Sequence, residues 1–112
     1  MTETIFSKII QRQIPADIVY EDDQVLAFRD INPQAPVHLL VIPKQPIPQL
    51  AAATSDDQAL LGYWLLTATQ IAQKLGLEGY RVVINNGAEA GQTVFHLHLH
   101  ILAGRPLAWP PG

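Results

Sequence analysis

Near the C-terminus the chain reads Phe95-His96-Leu97-His98-Leu99-His100-Ile101-Leu102, histidine alternating with apolar side chains. Successive side chains on an extended strand point to opposite faces. A strand here puts His96, His98 and His100 on one face and Phe95, Leu97, Leu99 and Ile101 on the other. The apolar face anchors the strand in a core, and the other carries imidazoles spaced about 6–7 Å apart. Three of the chain's four histidines lie in this stretch. Imidazole is the side chain whose unperturbed pKa, about 6.5, puts its charge change near neutrality.

The rest of the chain supplies a small sheet for that strand. Ile5, Phe6, Ile9 and Ile10 recur at helical spacing after a capping Thr4, predicting a short helix over 5–12 that Pro15 ends. Ile18-Val19-Tyr20 and Val25-Leu26-Ala27-Phe28 flank an acidic turn and read as a hairpin. After the stiff turn Asn32-Pro33-Gln34-Ala35-Pro36, His38 to Ile42 reads as a buried strand stopped by Pro43. A long helix follows, capped by Thr54 or Ser55, with Asp56 and Asp57 at the positive end of its dipole. Leu60, Leu61, Trp64, Leu65, Ala68, Ile71, Ala72 and Leu75 form its apolar face, and Gly76 stops it. Strands are expected over Tyr80–Asn85 and Thr93–Leu102, with the turn 86–92 between them. Helix, three strands, helix, two strands is an α+β pattern around a mainly antiparallel sheet. Residues 1–112 read as one domain. Residues 105–112 form a stiff proline-rich arm that docks Trp109 on an apolar surface.

Composition narrows the partners. A net charge of -3 lacks the basic stripe that a general grip on nucleic acid requires. The absence of cysteine excludes disulfides, thiolate nucleophiles and cysteine metal sites. Met1-Thr2-Glu3-Thr4 lacks the basic start and apolar core of a secretory signal. No apolar run approaches the roughly 20 residues of a membrane span. The expectation is a cytoplasmic protein that engages neither nucleic acid nor membrane.

From the residues alone, the histidine row admits three uses: a polar face without chemistry, a zinc or copper site, or a phosphate site with a histidine nucleophile. Imidazole is a common metal ligand, and alternating histidines can ligate together. The neighbours suit an anion better. Asn85, the Gly87–Gly91 turn, Gln92 and Thr93 offer amide and hydroxyl donors, and glycine lets backbone N–H groups approach phosphate closely.

Beyond the histidines, several segments resemble a known family. His96-Leu97-His98-Leu99-His100-Ile101-Leu102 has the His-x-His-x-His-x-x pattern of the histidine triad (HIT) nucleotide hydrolases and transferases. Ile5 to Ile10, Tyr20 to Asp23, Asp30 to Pro36 and His38 to Lys44 resemble that family's N-terminal half. Leu75-Gly76-Leu77, Gly79 to Val83 and the terminal Trp109-Pro110-Pro111-Gly112 are similar to its branch of histidine triad nucleotide-binding proteins, which are purine nucleoside phosphoramidases. Thr93 stands where serine is common, and Arg29 occupies a variable position.

The resemblance implies a HIT-like α+β fold, a five-stranded mainly antiparallel sheet with one long and one short helix, extended across a two-fold homodimer. It implies hydrolysis of the P–N bond of adenosine or guanosine phosphoramidates through a nucleotidyl-histidine, with no cofactor and no metal. His98 would be the nucleophile and a backbone carbonyl at His96 would hold its second nitrogen. His100 would assist the phosphate and leaving group, and His38 would join the same network. The nucleoside would lie against Phe6, Ile9, Phe28, Ile31 and Leu40, with Asp30 on the ribose. Asn85, Gly91, Gln92 and Thr93 would contact phosphate or leaving group, and Trp109 would reach the partner's site. Without the resemblance, the apolar five read as core packing, His38 as a core histidine and Asp30 as a turn cap. The alternatives within this reading are a dinucleoside polyphosphate hydrolase and a nucleotide-binding interaction protein with incidental hydrolysis.

Overall fold

The computed structural model describes residues 3–112; Met1 and Thr2, part of the N-terminus read above, lie outside them. Helix α1 spans Ile5–Ile10 and opens on a reciprocal cap between Thr4 and Ser7. It stops short of the expected residue 12 because Arg12 takes a left-handed backbone, φ 64°. Strands β1 (Ile18–Glu21), β2 (Val25–Arg29) and β3 (Val37–Pro43) follow. Helix α2 covers Gln58–Lys74, β4 covers Arg81–Val83 and β5 covers Leu99–Ala103. The sheet runs β1-β2-β3-β5-β4, and every neighbouring pair is antiparallel. This is the expected five-stranded α+β architecture. Among the described residues, no helix is long and apolar enough to cross a membrane.

The two faces of the sheet are covered unequally. Val25, Ala27, Leu39, Val41, Leu99 and Ile101 pack with Trp64, Ala68 and Ile71 of α2. The Trp64 indole N–H donates to the Val41 carbonyl at 2.9 Å, so the largest buried side chain also has its polar atom satisfied. Tyr20 and Tyr63 both donate to the Asp22 carboxylate, which ties α2 to the first hairpin. On the other face, Leu26, Phe28, Leu40 and Ile42 meet Phe6 and Ile9 of α1. A helix of six residues cannot cover that face, and a cavity remains beside it.

Helix α2 buries a narrower stripe than its apolar pattern predicts. Trp64, Thr67, Ala68, Ile71 and Ala72 are buried, whereas Leu65 and Leu75 are each 42% exposed. Leu66 is more exposed still, and Val82 on the edge strand β4 is exposed to nearly the same extent as Leu65.

The histidine strand is the main correction. Expected over Thr93–Leu102, it is regular only over Leu99–Ala103, so His100 alone of the three histidines stands on it. The reason lies in its partner. The β3–β5 register pairs Val41 with Leu99, so continuing it would set Leu97 opposite Pro43, which has no N–H to give. Leu97 donates instead to the Ile47 carbonyl at 2.7 Å, and the chain leaves the ladder. Phe95 consequently does not share the buried face of Leu97, Leu99 and Ile101 and is 44% exposed. Strand β4 is likewise shorter than the expected Tyr80–Asn85.

Candidate active site

Leaving the ladder frees backbone carbonyls that the histidines then use. His96 is buried, and its Nε2 donates to the Pro43 carbonyl at 2.7 Å. His98 Nδ1 donates to the carbonyl of His96, also at 2.7 Å. A carbonyl can only accept, so both imidazoles have their tautomer fixed. In the neutral ring His98 then keeps an unprotonated Nε2.

A second chain of bonds fixes the other two rings. The backbone N–H of Gln34 donates to His38 Nδ1 at 3.0 Å. That nitrogen is therefore an acceptor, and the proton of neutral His38 sits on Nε2. His38 Nε2 lies 2.9 Å from His100 Nδ1 and donates to it, which leaves the proton of His100 on its own Nε2. One histidine thus offers a lone pair and its neighbour offers a donor, with ring centroids 5.1 Å apart. That is closer than an extended row would hold them.

Burial keeps this arrangement uncharged. Desolvation lowers the pKa of His38, His96 and His98 below the ordinary 6.5. His100 is pushed down to about 4, by burial first and then by the neighbouring His98 and His38, against the pull of Asp30. At neutral pH all four are neutral, and a neutral imidazole is the nucleophilic form. Phe6 stands edge-on to His98 with centroids 5.0 Å apart, completing the packing around that ring.

His98 and His100 open onto a cavity of about 260 Å³ between α1 and the sheet. Phe6, Ile9, Phe28, Asp30, Ile31, Leu40 and Thr93, all expected at the site, line it. Ile31 stands at its mouth, an apolar side chain 96% exposed. Ile14, Pro15, Ala16 and Val94 also line the cavity. Sequence reading missed them because, as isolated apolar residues outside helices and strands, they carry no periodic signal. A larger cavity of about 620 Å³ flanks α1 on the side of Lys44, Phe95 and Pro48, but neither His98 nor His100 reaches it. His96 lines that larger cavity, whereas His98 and His100 both line the smaller one.

Several residues sit elsewhere than expected. Gln92 was assigned to phosphate; instead its amide accepts from Gly87 N–H at 2.8 Å and donates to the Pro48 and Val94 carbonyls. With every polar group engaged and the side chain buried, it braces the glycine turn. Gly91 takes φ 103°, which only glycine adopts readily, and passes near the Asn85 amide. Neither lines the cavity itself. Trp109 is 82% exposed rather than docked on an apolar surface of the described residues, although the Ala108 carbonyl accepts from Arg81. Asp30 caps its turn through Asn32 N–H with one oxygen and faces His38 Nε2 at 3.5 Å with the other.

Asp30, His38 and His100 bring three donor atoms within 4.8 Å of one another, a spacing compatible with a cation. Their hydrogen bonds oppose one. A metal-binding imidazole donates its other N–H to an acceptor, whereas His38 Nδ1 accepts a hydrogen bond from the Gln34 N–H and keeps its own proton on Nε2. The trio does not fit a resident metal.

Comparison with known proteins agrees with this geometry. The HIT domain model matches residues 11–107. An uncharacterized HIT-like protein of Synechocystis sp. is 69% identical over 111 residues, spanning 98% of this chain and 97% of its own. The crystal structure of a HIT family hydrolase from Legionella pneumophila superposes with a TM-score of 0.95 at 50% identity, covering 98% of this chain and 100% of that one. A histidine triad nucleotide-binding protein from Candida albicans superposes with a TM-score of 0.82 at 32% identity, over 96% and 83% of the two chains. With its histidine triad, its sheet order and these matches, the chain belongs to the HIT domain family.

Proposed function

We propose that this protein is a purine nucleoside phosphoramidase of the histidine triad nucleotide-binding branch, hydrolysing adenosine or guanosine 5'-phosphoramidates to the nucleoside monophosphate and an amine. One observation carries the reading. His98 donates Nδ1–H to its neighbour's carbonyl and so presents an unprotonated Nε2 where it meets the cavity. The hydrolase activity of the Legionella relative and the nucleotide binding of the Candida one are consistent with it.

In the first step His98 Nε2 bonds to phosphorus as the P–N bond breaks. The departing nitrogen keeps the electron pair and takes up a proton, with His100 Nε2–H as the donor facing the reacting group. In the second step water adds its oxygen to phosphorus, the phosphorus–imidazole bond breaks, and the water proton replaces the one carried off by the amine. Dividing one displacement into two is what covalent catalysis gains. The purine lies against Phe6, Ile9, Phe28, Ile31 and Leu40, the ribose at Asp30. Thr93, Gly91 and Asn85 face the phosphate and leaving group once substrate closes on the turn. Gln92 holds that turn in place.

The working form is a homodimer built on the exposed Leu65 and Leu66 of α2 and Val82 of the edge strand β4. Across the two-fold axis the arm 105–112 carries Trp109 to the partner's site. Leu66→Glu should give a monomer by analytical ultracentrifugation; an unchanged dimer refutes this surface. Trapping the nucleotidyl-enzyme and mapping its phosphorus tests the mechanism directly. Label on any residue but His98 overturns it. Faster turnover of a diadenosine polyphosphate than of an adenosine phosphoramidate would replace the substrate assignment with a polyphosphate hydrolase.

A further inference from the structure

Two residues outside the cavity wall govern the hydrogen bonds inside it. The turn 30–36 contains Pro33 and Pro36, which have no N–H, so few backbone bonds can hold it. The Asp30 N–H closes it on the His38 carbonyl at 3.0 Å, and four further contacts shape it. Asp30 caps Asn32 N–H at 2.8 Å, and the Gln34 side chain donates to the Asn32 carbonyl at 3.0 Å. The Gln34 N–H donates to His38 Nδ1, and the Gln34 carbonyl accepts from Arg105 Nη2 at 3.0 Å. Gln34 is therefore held from both sides, by a catalytic-network histidine at its N–H and by the root of the C-terminal arm at its carbonyl.

Neighbouring residues bring that arm into reach. Val37 pairs with Ala103, so β5 ends beside the start of β3. Gly104 then passes so close to Pro36 that an added Cβ would lie 2.7 Å from the proline Cβ. Arg105 is delivered to the turn by this contact, and its Nη1 also bonds the Pro106 carbonyl at 3.1 Å.

We infer that Arg105 is a positioning residue, holding the Gln34 amide against His38 and thereby selecting the tautomers of His38 and His100. With the Gln34 N–H on Nδ1, His38 has no choice but to donate from Nε2, and His100 must then carry its proton on the nitrogen away from His38. Once the Gln34 amide turns away, His38 can hold its proton on Nδ1. His100 then donates back to His38 and shows a lone pair where a donor is needed. The same arm that carries Trp109 toward the partner is thus tied to the proton placement of the site. The kinetic consequence rests on the role proposed above for His100; the tautomer selection does not.

The test is long-range proton–nitrogen NMR of the imidazoles at mildly alkaline pH, where the rings are neutral. In the unmodified protein, His38 and His100 should each show Nδ1 unprotonated and Nε2 protonated. Arg105→Ala should move both toward a tautomer mixture, and Arg105→Lys, which can still donate to the Gln34 carbonyl, should restore much of the original pattern. Gln34→Pro deletes the N–H itself and should produce the larger shift. Asp23→Ala, exposed in the β1–β2 turn and outside the site, should leave the ring shifts unchanged. Unchanged shifts in both Arg105→Ala and Gln34→Pro, or a matching shift in Asp23→Ala, overturn the inference. In turnover, Arg105→Ala should slow release of a basic alkylamine by about tenfold while affecting a weakly basic arylamine less, with little change in KM. Altered tautomers without that leaving-group dependence would sustain the positioning role and refute instead the part given to His100.

Discussion

The two faces of the sheet solve different problems with the same kind of side chain. Against α2, Trp64, Ala68 and Ile71 fill the space over Val41, Leu99 and Ile101. Against α1, a six-residue helix offers Phe6 and Ile9 and stops, leaving a cavity that His98 and His100 enter. A long helix pays the entropy of folding through continuous burial. A short one leaves room for a ligand. Apolar residues on the α2 face pack a sealed core, and those on the α1 face both pack and line a cavity.

That contrast can be broken at several points. The largest effect should come from His98→Ala, which removes the proposed nucleophile; turnover should fall on the order of 10⁴-fold in kcat with the thermal midpoint barely altered. A residual rate within tenfold of the unmodified enzyme would show that another group attacks. Next is Trp64→Ala on the sealed face, which empties a fully buried site and removes the indole donor to the Val41 carbonyl. Denaturant titration should show a loss of about 3–5 kcal/mol, with KM preserved in whatever fraction stays folded. Phe6→Ala on the open face should cost less stability, about 3 kcal/mol or below, and should raise KM. Equal destabilisation without a KM change would erase the distinction between the faces.

A pH titration sharpens the same comparison, since the buried histidines all lie on the open side or behind it. Their folded pKa values are depressed, so between 6.5 and the folded values the unfolded chain binds more protons. Stability should be fully present above pH 6.5 and be lost progressively as pH falls toward about 4, the value for His100. Calorimetry across that window should show a falling melting temperature, shallower in His100→Asn. A flat profile would mean the rings are not desolvated. The smallest effect belongs to Ile31→Ser. Its side chain is almost wholly exposed, so stability should stay within about 0.5 kcal/mol while KM rises a few-fold; an unchanged KM would remove Ile31 from the nucleoside site.

Particular residues show where sequence reading stops. The alternation of Leu97, Leu99 and Ile101 with histidines correctly announced a strand anchored in the core, and nine expected site residues line one cavity. The same alternation extended the strand too far. Periodicity describes one segment, whereas a ladder also needs a partner able to bond, and Pro43 is not one. Gln92 resembled a phosphate ligand because an amide beside glycines suits that role; only the folded loop shows its amide fully engaged. The Leu65 side of α2 is apolar enough to look like core, yet the sheet does not extend beneath it.

The sequence by itself determined the elements, their order, the apolar character of both sheet faces and the set of imidazoles, since these follow from local pattern and composition. Tertiary structure alone decided which imidazole keeps a lone pair and which keeps a donor. Those choices rest on the Pro43 and His96 carbonyls and the Gln34 amide; the family resemblance implied the His96 carbonyl, and no residue pattern marks the other two. Their direction is set by where the ladder ends and how the proline turn is held. The chemistry of this site therefore depends on backbone geometry that exists only once the chain has folded.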